Sequence, residues 1–372
     1  MVPARLASSV VQRQVRYVRP VPAATASGLV AAVYRQVAQE MRLVVPPAML
    51  HSPVPDLLAA YWMLLRESLL PTGEVGRATK EAVAAAVSVA AICPYCTEMH
   101  TVGLYDLSGE HDAEAIAGDR AWEVRDPRLR EVALWARHAH EADRAVQLPA
   151  GLSMAARAEL VGVVVSMHYL TRMVNIFLSN FLLPPGLGPR GRRRFKRGAS
   201  VVMRPTLRAP HEPGRSLSLL PEAPVAGGSE WAAASPAVAR ALARAGAVFE
   251  AAGARVLSPA VRALVLQRLS RWRGEETGLG TAWCDELVAG LPPADRAAGR
   301  LALLASIASH QVSDDDVAEF RRYHPGDAAV IGATGWASFA AARLIGERQG
   351  QAGGLPPTTH DRGGAARPKS SR

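Results

Sequence analysis

Alanine-rich runs with scarcely any aromatic residues limit this chain more than any other feature. "KEAVAAAVSVAA" (80–91) and "ARALARAGAVFEAAGAR" (239–255) are typical. Alanine is the best helix former, and no series of short β-branched segments separated by hairpin turns accompanies these runs. Hydrophobic residues make up 49% of the 372 residues and aromatics 5%. The core must therefore be assembled from Ala, Val and Leu on helix faces. These features predict an all-α fold, and the length allows two domain-sized cores.

Four segments are expected. Residues 1–188 read as one helical domain and 189–228 as a linker rich in Arg, Pro and Gly. Residues 229–350 are helical again, and 351–372 form a tail with little to bury, expected to be disordered. The two helical regions resemble distant copies of one another. "TEMHTVGL" (97–104) lies against "CDELVAGL" (284–291), and "DPRLREVALWARHAHEADRAVQLP" (126–149) against "PADRAAGRLALLASIASHQVSDDDVAEF" (293–320). "ELVGVVVSMHYLTRMVNIFL" (159–178) pairs with "AVIGATGWASFAAARLIGE" (329–347). The fold class expected is thus two tandem helical repeats.

The formal net charge of +10 is concentrated locally: residues 189–208, "PRGRRRFKRGASVVMRPTLR", hold eight basic residues and no acid. A basic run between breaks of the "PPG" and "EPG" kind reads as a solvated linker, and its confinement weighs against nucleic acid as a partner. The most apolar stretch, 158–186, is long enough for a membrane span, but His168, Arg172, Asn175 and Asn180 recur in it at near-helical spacing. A buried helix with one polar stripe, facing a site or a subunit contact, fits better than a span. The N-terminus has scattered arginines and no continuous apolar core, so no secretory signal is expected and a cytoplasmic location is.

Two of the three cysteines lie in "AICPYCTEMHT" (91–101). In a reducing compartment such a pair points to redox or metal chemistry rather than to a structural disulfide. Pro94 suits the first position of a helix, which puts Cys96 and His100 four apart on one side with Cys93 next to both. A helix N-terminus lowers a thiol pKa, and an imidazole one turn on can take the thiol proton. Glu81 lies twelve residues before Cys93. If the chain folds back at Pro94, its carboxylate reaches His100 and fixes the imidazole tautomer, as in a catalytic triad.

Glu81, Cys93, Cys96 and His100 resemble the Glu-x11-Cys-x-x-Cys-x3-His signature of alkylhydroperoxidase D-like proteins, members of the carboxymuconolactone decarboxylase-like superfamily. The resemblance covers roughly residues 55–185, and residues 257–350 resemble the same domain without its motif. It implies a thiol-dependent hydroperoxide reductase. Cys96 would be the peroxidatic cysteine, Cys93 the resolving one that closes a disulfide with it, and His100 the base relayed by Glu81. Where alkylhydroperoxidase D has a second relay histidine between the cysteines, this chain has Tyr95, which shortens the relay or routes it through water. No bound cofactor or metal is implied. The external reductant would be a dithiol donor, lipoyl-bearing or thioredoxin-like, and the family implies a homo-oligomer. In the second copy the motif positions fall near Arg268, Gly280, Trp283 and Leu287, with Cys284 alone, so that copy is expected to be degenerate.

Other readings stay open. Cys93, Cys96 and His100 offer three zinc ligands where a structural site takes four, and covalent haem needs its histidine directly after the second cysteine. Superfamily decarboxylases acting on lactones need no dithiol. A redox-responsive interaction protein would oxidise at the pair without turning over. His138 and His140 read as surface residues of an amphipathic helix, and His168 as a satisfied core histidine.

Overall fold

The protein, seen as a computed structural model, is described for residues 14–143, 146–179 and 186–352. Asn180 of the polar stripe and residues 353–372 of the expected tail lie outside that range. The described residues form fifteen α-helices and no strand, with one isolated antiparallel bridge between Val15 and Leu178. The helices are α1 (Gly28–Met41), α2 (Pro46–His51), α3 (Pro55–Leu69), α4 (Arg77–Ala90), α5 (Pro94–Leu107), α6 (Glu110–Ala117), α7 (Pro127–His138) and α8 (Met154–Phe177). They continue with α9 (Pro189–Leu207), α10 (Pro236–Val256), α11 (Pro259–Arg271), α12 (Ala282–Val288), α13 (Pro293–Ile307), α14 (Asp314–Tyr323) and α15 (Asp327–Ala352). The fold is all-α.

Several starts are written in the sequence. Asp126 accepts from the Arg128 and Leu129 amides at the head of α7, Ser153 caps α8, and Ser313 with Asp316 forms a reciprocal capping box on α14. Such side chains satisfy amides that the first helical turn leaves unpaired.

The packing supports the tandem repeat. Within the first half α3 lies on α8 and α4 on α7; within the second α10 lies on α15 and α11 on α13. Between the halves α3 packs on α10 and α8 on α15, so each helix meets its own counterpart. Like-to-like pairing is the geometry of an isologous two-fold interface, here built within one chain. Phe249 and Phe339 of the second half stack at 4.6 Å between centroids, and Tyr169 of the first reaches Phe249 at 4.7 Å. The apolar core is continuous across both halves. Helices α8 and α15 are long and apolar enough to cross a membrane, but the most apolar window of α8 is entirely buried inside the protein.

The basic segment departs from the expected linker. Residues 189–207 are a helix lying along α5. Acidic residues on α5 and α6 hold it: Lys196 bridges Glu98 and Glu114 at 2.6 and 2.9 Å, Arg197 meets Glu110, and Arg204 and Arg208 both reach Asp106. The positive run looked solvated because its counter-charges lie some eighty to a hundred residues away in sequence. After α9 the chain stays on the protein surface, with Leu217 and Leu220 buried and the Gly214 and Ser216 amides donating to Glu67.

Candidate active site

The turn between α4 and α5 carries Cys93, and the first turn of α5 carries Cys96. The Cys93 amide donates to Ser88 O at 2.9 Å and the Ile92 amide to Val89 O at 3.1 Å, the paired bonds of a Schellman ending. That ending needs a left-handed residue at its turn, normally glycine. Here Ile92 holds it, at φ 50°. A β-branched residue in this region is strained. Cys93 then serves as N-cap of α5, with Pro94 in the first turn. The chain reverses within three residues, and α5 comes back alongside α4.

This reversal brings Glu81 of α4 to His100 of α5. Glu81 Oε2 is 2.7 Å from His100 Nδ1, and Arg77 Nε donates to Glu81 Oε1 at 2.7 Å. A carboxylate only accepts, so Nδ1 carries the proton and Nε2 is left as the basic nitrogen. Burial alone would raise the Glu81 carboxyl, but Arg77 and His100 outweigh it and hold it down at about 2. Gly103, one turn beyond His100, is where a Cβ would come 3.5 Å from the Glu81 carboxylate and 3.3 Å from Leu207 Cδ2. Its bare backbone lets both approach.

Cys93 and Cys96 are buried free thiols. Burial, then hydrogen bonding and charge proximity between the two sulfurs, pushes the Cys96 thiol well above the usual 9.0. The lowering expected from the helix terminus is absent, because desolvation disfavours the thiolate more strongly than the helix end favours it. The hydroxyls of Tyr95 and Tyr61 are both buried without a hydrogen-bond partner. Each is close enough to Cys96 for the two to perturb one another, and burial raises both phenols strongly. Tyr61 also stacks on His51 at 4.5 Å.

A mainly apolar cavity of about 230 Å³ opens beside this cluster. His100, Glu81, Arg77 and Tyr95 line it on one side, and Met203 and Leu207 of α9 close the other. Arg77 Nη1 is buried there without a partner. Tyr95 is in the lining, but neither cysteine is. Among the described residues no three His, Cys, Asp or Glu side chains gather in a way that could hold a metal ion.

Of the sequence-derived residues, Glu81 and His100 are in contact, Cys93 and Cys96 adjoin one another, and Tyr95 lies beside the thiols and lines the same cavity as Glu81 and His100. Arg77 and Tyr61 were missed. Arg77 had a signal, lying four residues before Glu81. Tyr61 had none, because only the packing of α3 brings it near. The other histidines lie elsewhere. His140 and His168 sit 5.9 Å apart between centroids in a second cavity, which His138 also lines. His140 and His138 are half-buried rather than on the surface. His168 is a core residue, but its Nε2 is unsatisfied.

In the second half, Arg268 lies over the Trp283 ring at 5.9 Å, at the positions that align with Glu81 and Cys96. Burial raises the Cys284 thiol to about 12, and the only other cysteines are in the first half.

Comparison with known proteins gives two matches. The carboxymuconolactone decarboxylase family model matches residues 55–138. An alkyl hydroperoxide reductase of Mycobacterium tuberculosis is 38% identical over 333 residues, covering 89% of this chain and 94% of that protein. The family match spans α3 to α7 and contains the whole Glu81–Cys93–Cys96–His100 cluster.

Proposed function

The chain belongs to the alkylhydroperoxidase D-like and carboxymuconolactone decarboxylase-like superfamily, and we propose that it is a thiol-dependent hydroperoxide reductase acting through Cys96 and Cys93. The observation that carries this reading is the oriented Glu81–His100 pair one helical turn beyond a reduced dithiol. In the proposed cycle His100 Nε2 takes the Cys96 proton, directly or through water in the cavity. The thiolate attacks the hydroperoxide, breaking the O–O bond. The alkoxide leaves with a proton as alcohol, and Cys96 becomes a sulfenic acid. Cys93 thiolate then attacks that sulfur, the Cys93–Cys96 bond forms, and the hydroxyl leaves as water. An external dithiol, lipoyl-bearing or thioredoxin-like, supplies the two electrons that restore the thiols.

The apolar cavity favours an organic hydroperoxide over hydrogen peroxide. Arg77 Nη1 and the Tyr95 hydroxyl are donors without acceptors in its lining, suited to orient the peroxide oxygens. In the reduced state the cysteines lie outside the lining, so Tyr95 must shift for substrate to meet Cys96. The burial of Cys96 gives weight to a second reading, a redox-responsive protein that oxidises without turning over. One experiment separates the two. Reduced protein is mixed with cumene hydroperoxide, and intact mass is followed alongside alcohol release under excess dithiothreitol. The reductase reading expects loss of two hydrogens, localised to the 93–96 disulfide, with many alcohols formed per protein. Disulfide formation with no catalytic release would leave only the second reading.

A further inference from the structure

The polar stripe on α8 is not absorbed by the dithiol site. His168, Arg172 and Asn175 face the junction of the two halves, and the first two line a cavity there of about 750 Å³. Asn175 donates to Ala91 O at 3.0 Å and to Ser309 Oγ at 3.2 Å, and so ties the cysteine-bearing turn to the second half. Arg172 is buried and donates from Nε to Ser306 O at 2.9 Å and from Nη1 to His168 O at 2.7 Å. Pinning those carbonyls leaves Nη2 without a hydrogen bond among the described residues.

The charge on Arg172 is also unmatched. Of the other arginines in the lining, Arg137 pairs with Asp119 and Arg273 with Asp143. Arg172 has no carboxylate partner among the described residues. Leaving a buried charge without one costs several kcal/mol, a cost tolerated where a ligand supplies the counter-charge. Beside it, Arg172 Nη1 lies 3.1 Å from His168 Nδ1. Guanidinium only donates, so Nδ1 accepts and the proton of this imidazole is on Nε2. That N–H is buried and has no acceptor. Trp272 forms a flat wall, its ring 6.0 Å from the Arg172 guanidinium and 6.4 Å from the His140 ring.

We propose that this cavity is a second ligand site, which binds a small organic monocarboxylate with an aromatic or other flat body. Arg172 Nη2 and His168 Nε2 would receive the carboxylate, and Trp272 the body. One uncompensated guanidinium matches one negative charge. Glu276, also in the lining and near Arg137 and His310, opposes a dianion such as phosphate. The site owes nothing to the reductase reading: it is assembled from both halves, and its ligand does not touch the thiols. Ala90, Ala91 and Ile92 form part of its wall, so the occupant sits against the turn that carries Cys93.

Calorimetric titration of the full chain with benzoate, and separately with inorganic phosphate, tests the assignment. Benzoate is expected to bind one per chain, and Arg172→Gln to weaken it at least about tenfold, the loss of a charge-assisted contact. Should Arg172→Gln fail to fold, hydrogen exchange on the native protein gives the same answer, with benzoate slowing exchange across 272–279 and 90–92. Absence of benzoate binding at millimolar concentration overturns the proposal. So does unchanged affinity in folded Arg172→Gln, or phosphate displacing benzoate at equal or lower concentration.

Discussion

Glu81 holds two donors with its two oxygens, Arg77 on one and His100 on the other. Its carboxyl is depressed from 4.5 to about 2, so its stabilising effect is complete above about pH 4.5 and is lost as pH falls through 2. Glu81→Gln leaves Arg77 without its partner in a nearly dry setting and is expected to cost about 3 kcal/mol at neutral pH. The difference from native should shrink toward pH 2 in denaturant melts; a difference constant with pH would show that the carboxylate is not what holds the pair. At the next residue scale contact, Tyr95→His restores the relay residue of alkylhydroperoxidase D. It should raise the alkylation rate of the 93–96 thiols by iodoacetamide at pH 7 by about a hundredfold, the low end of what an added general base contributes. An unchanged rate would mean that access, rather than proton transfer, limits the thiols. The spacing of Glu81, Cys93, Cys96 and His100 was legible because all four lie on two consecutive helices, where sequence distance translates into a helix face. The raised Cys96 thiol was not legible: burial of that helix end by Tyr61 and its neighbours comes from tertiary packing alone.

At the scale of elements, the cysteine-bearing turn and the basic helix decide how the site is enclosed. Ile92 occupies a left-handed position with its side chain 48% exposed, so glycine loses little packing there. Ile92→Gly is expected to stabilise the protein by about 1 kcal/mol by removing the left-handed strain, read from chemical denaturation; a loss of similar size would show that the side chain is packed against something essential. Helix α9 covers the cavity with Leu207, which is buried. Leu207→Ala should cost about 2–3 kcal/mol through the void it leaves while lowering KM for bulky hydroperoxides relative to small ones. The existence of the helices could be read from the alanine runs, and the α5 start from Pro94. Helix α9 could not be read as packed structure, because Glu98, Asp106, Glu110 and Glu114 become its partners only once α5 has folded back.

For the molecule as a whole, the repeat was visible as weak similarity, but its consequence was not. The counterparts α3 and α10, and α8 and α15, face one another through a single continuous core. Neither half then carries a finished surface. Residues 1–228 expressed alone should aggregate or self-pair, with exposed apolar faces on α3 and α8 detectable by dye binding; a monomeric, cooperatively melting fragment would contradict the shared core. The arrangement also explains why a half without the Cys-x-x-Cys pair persists: it completes the packing of α3 and α8, and its residues 272–279 with Ile307, Ser309 and His310 wall the cavity over Arg172. The second half keeps the repeat's helix order, and Arg268 over Trp283 takes the place of carboxylate and thiol.

The central claim is that Cys96 and Cys93 turn over hydroperoxide with His100 as the base. The most direct test is steady-state reduction of cumene hydroperoxide with a dithiol reductant, comparing native protein with Cys96→Ser, Cys93→Ser and His100→Ala. The account predicts no turnover above background in either serine variant and a loss of roughly a hundredfold in kcat for His100→Ala, with all three variants folded as native. Native protein that consumes hydroperoxide no faster than Cys96→Ser would contradict it.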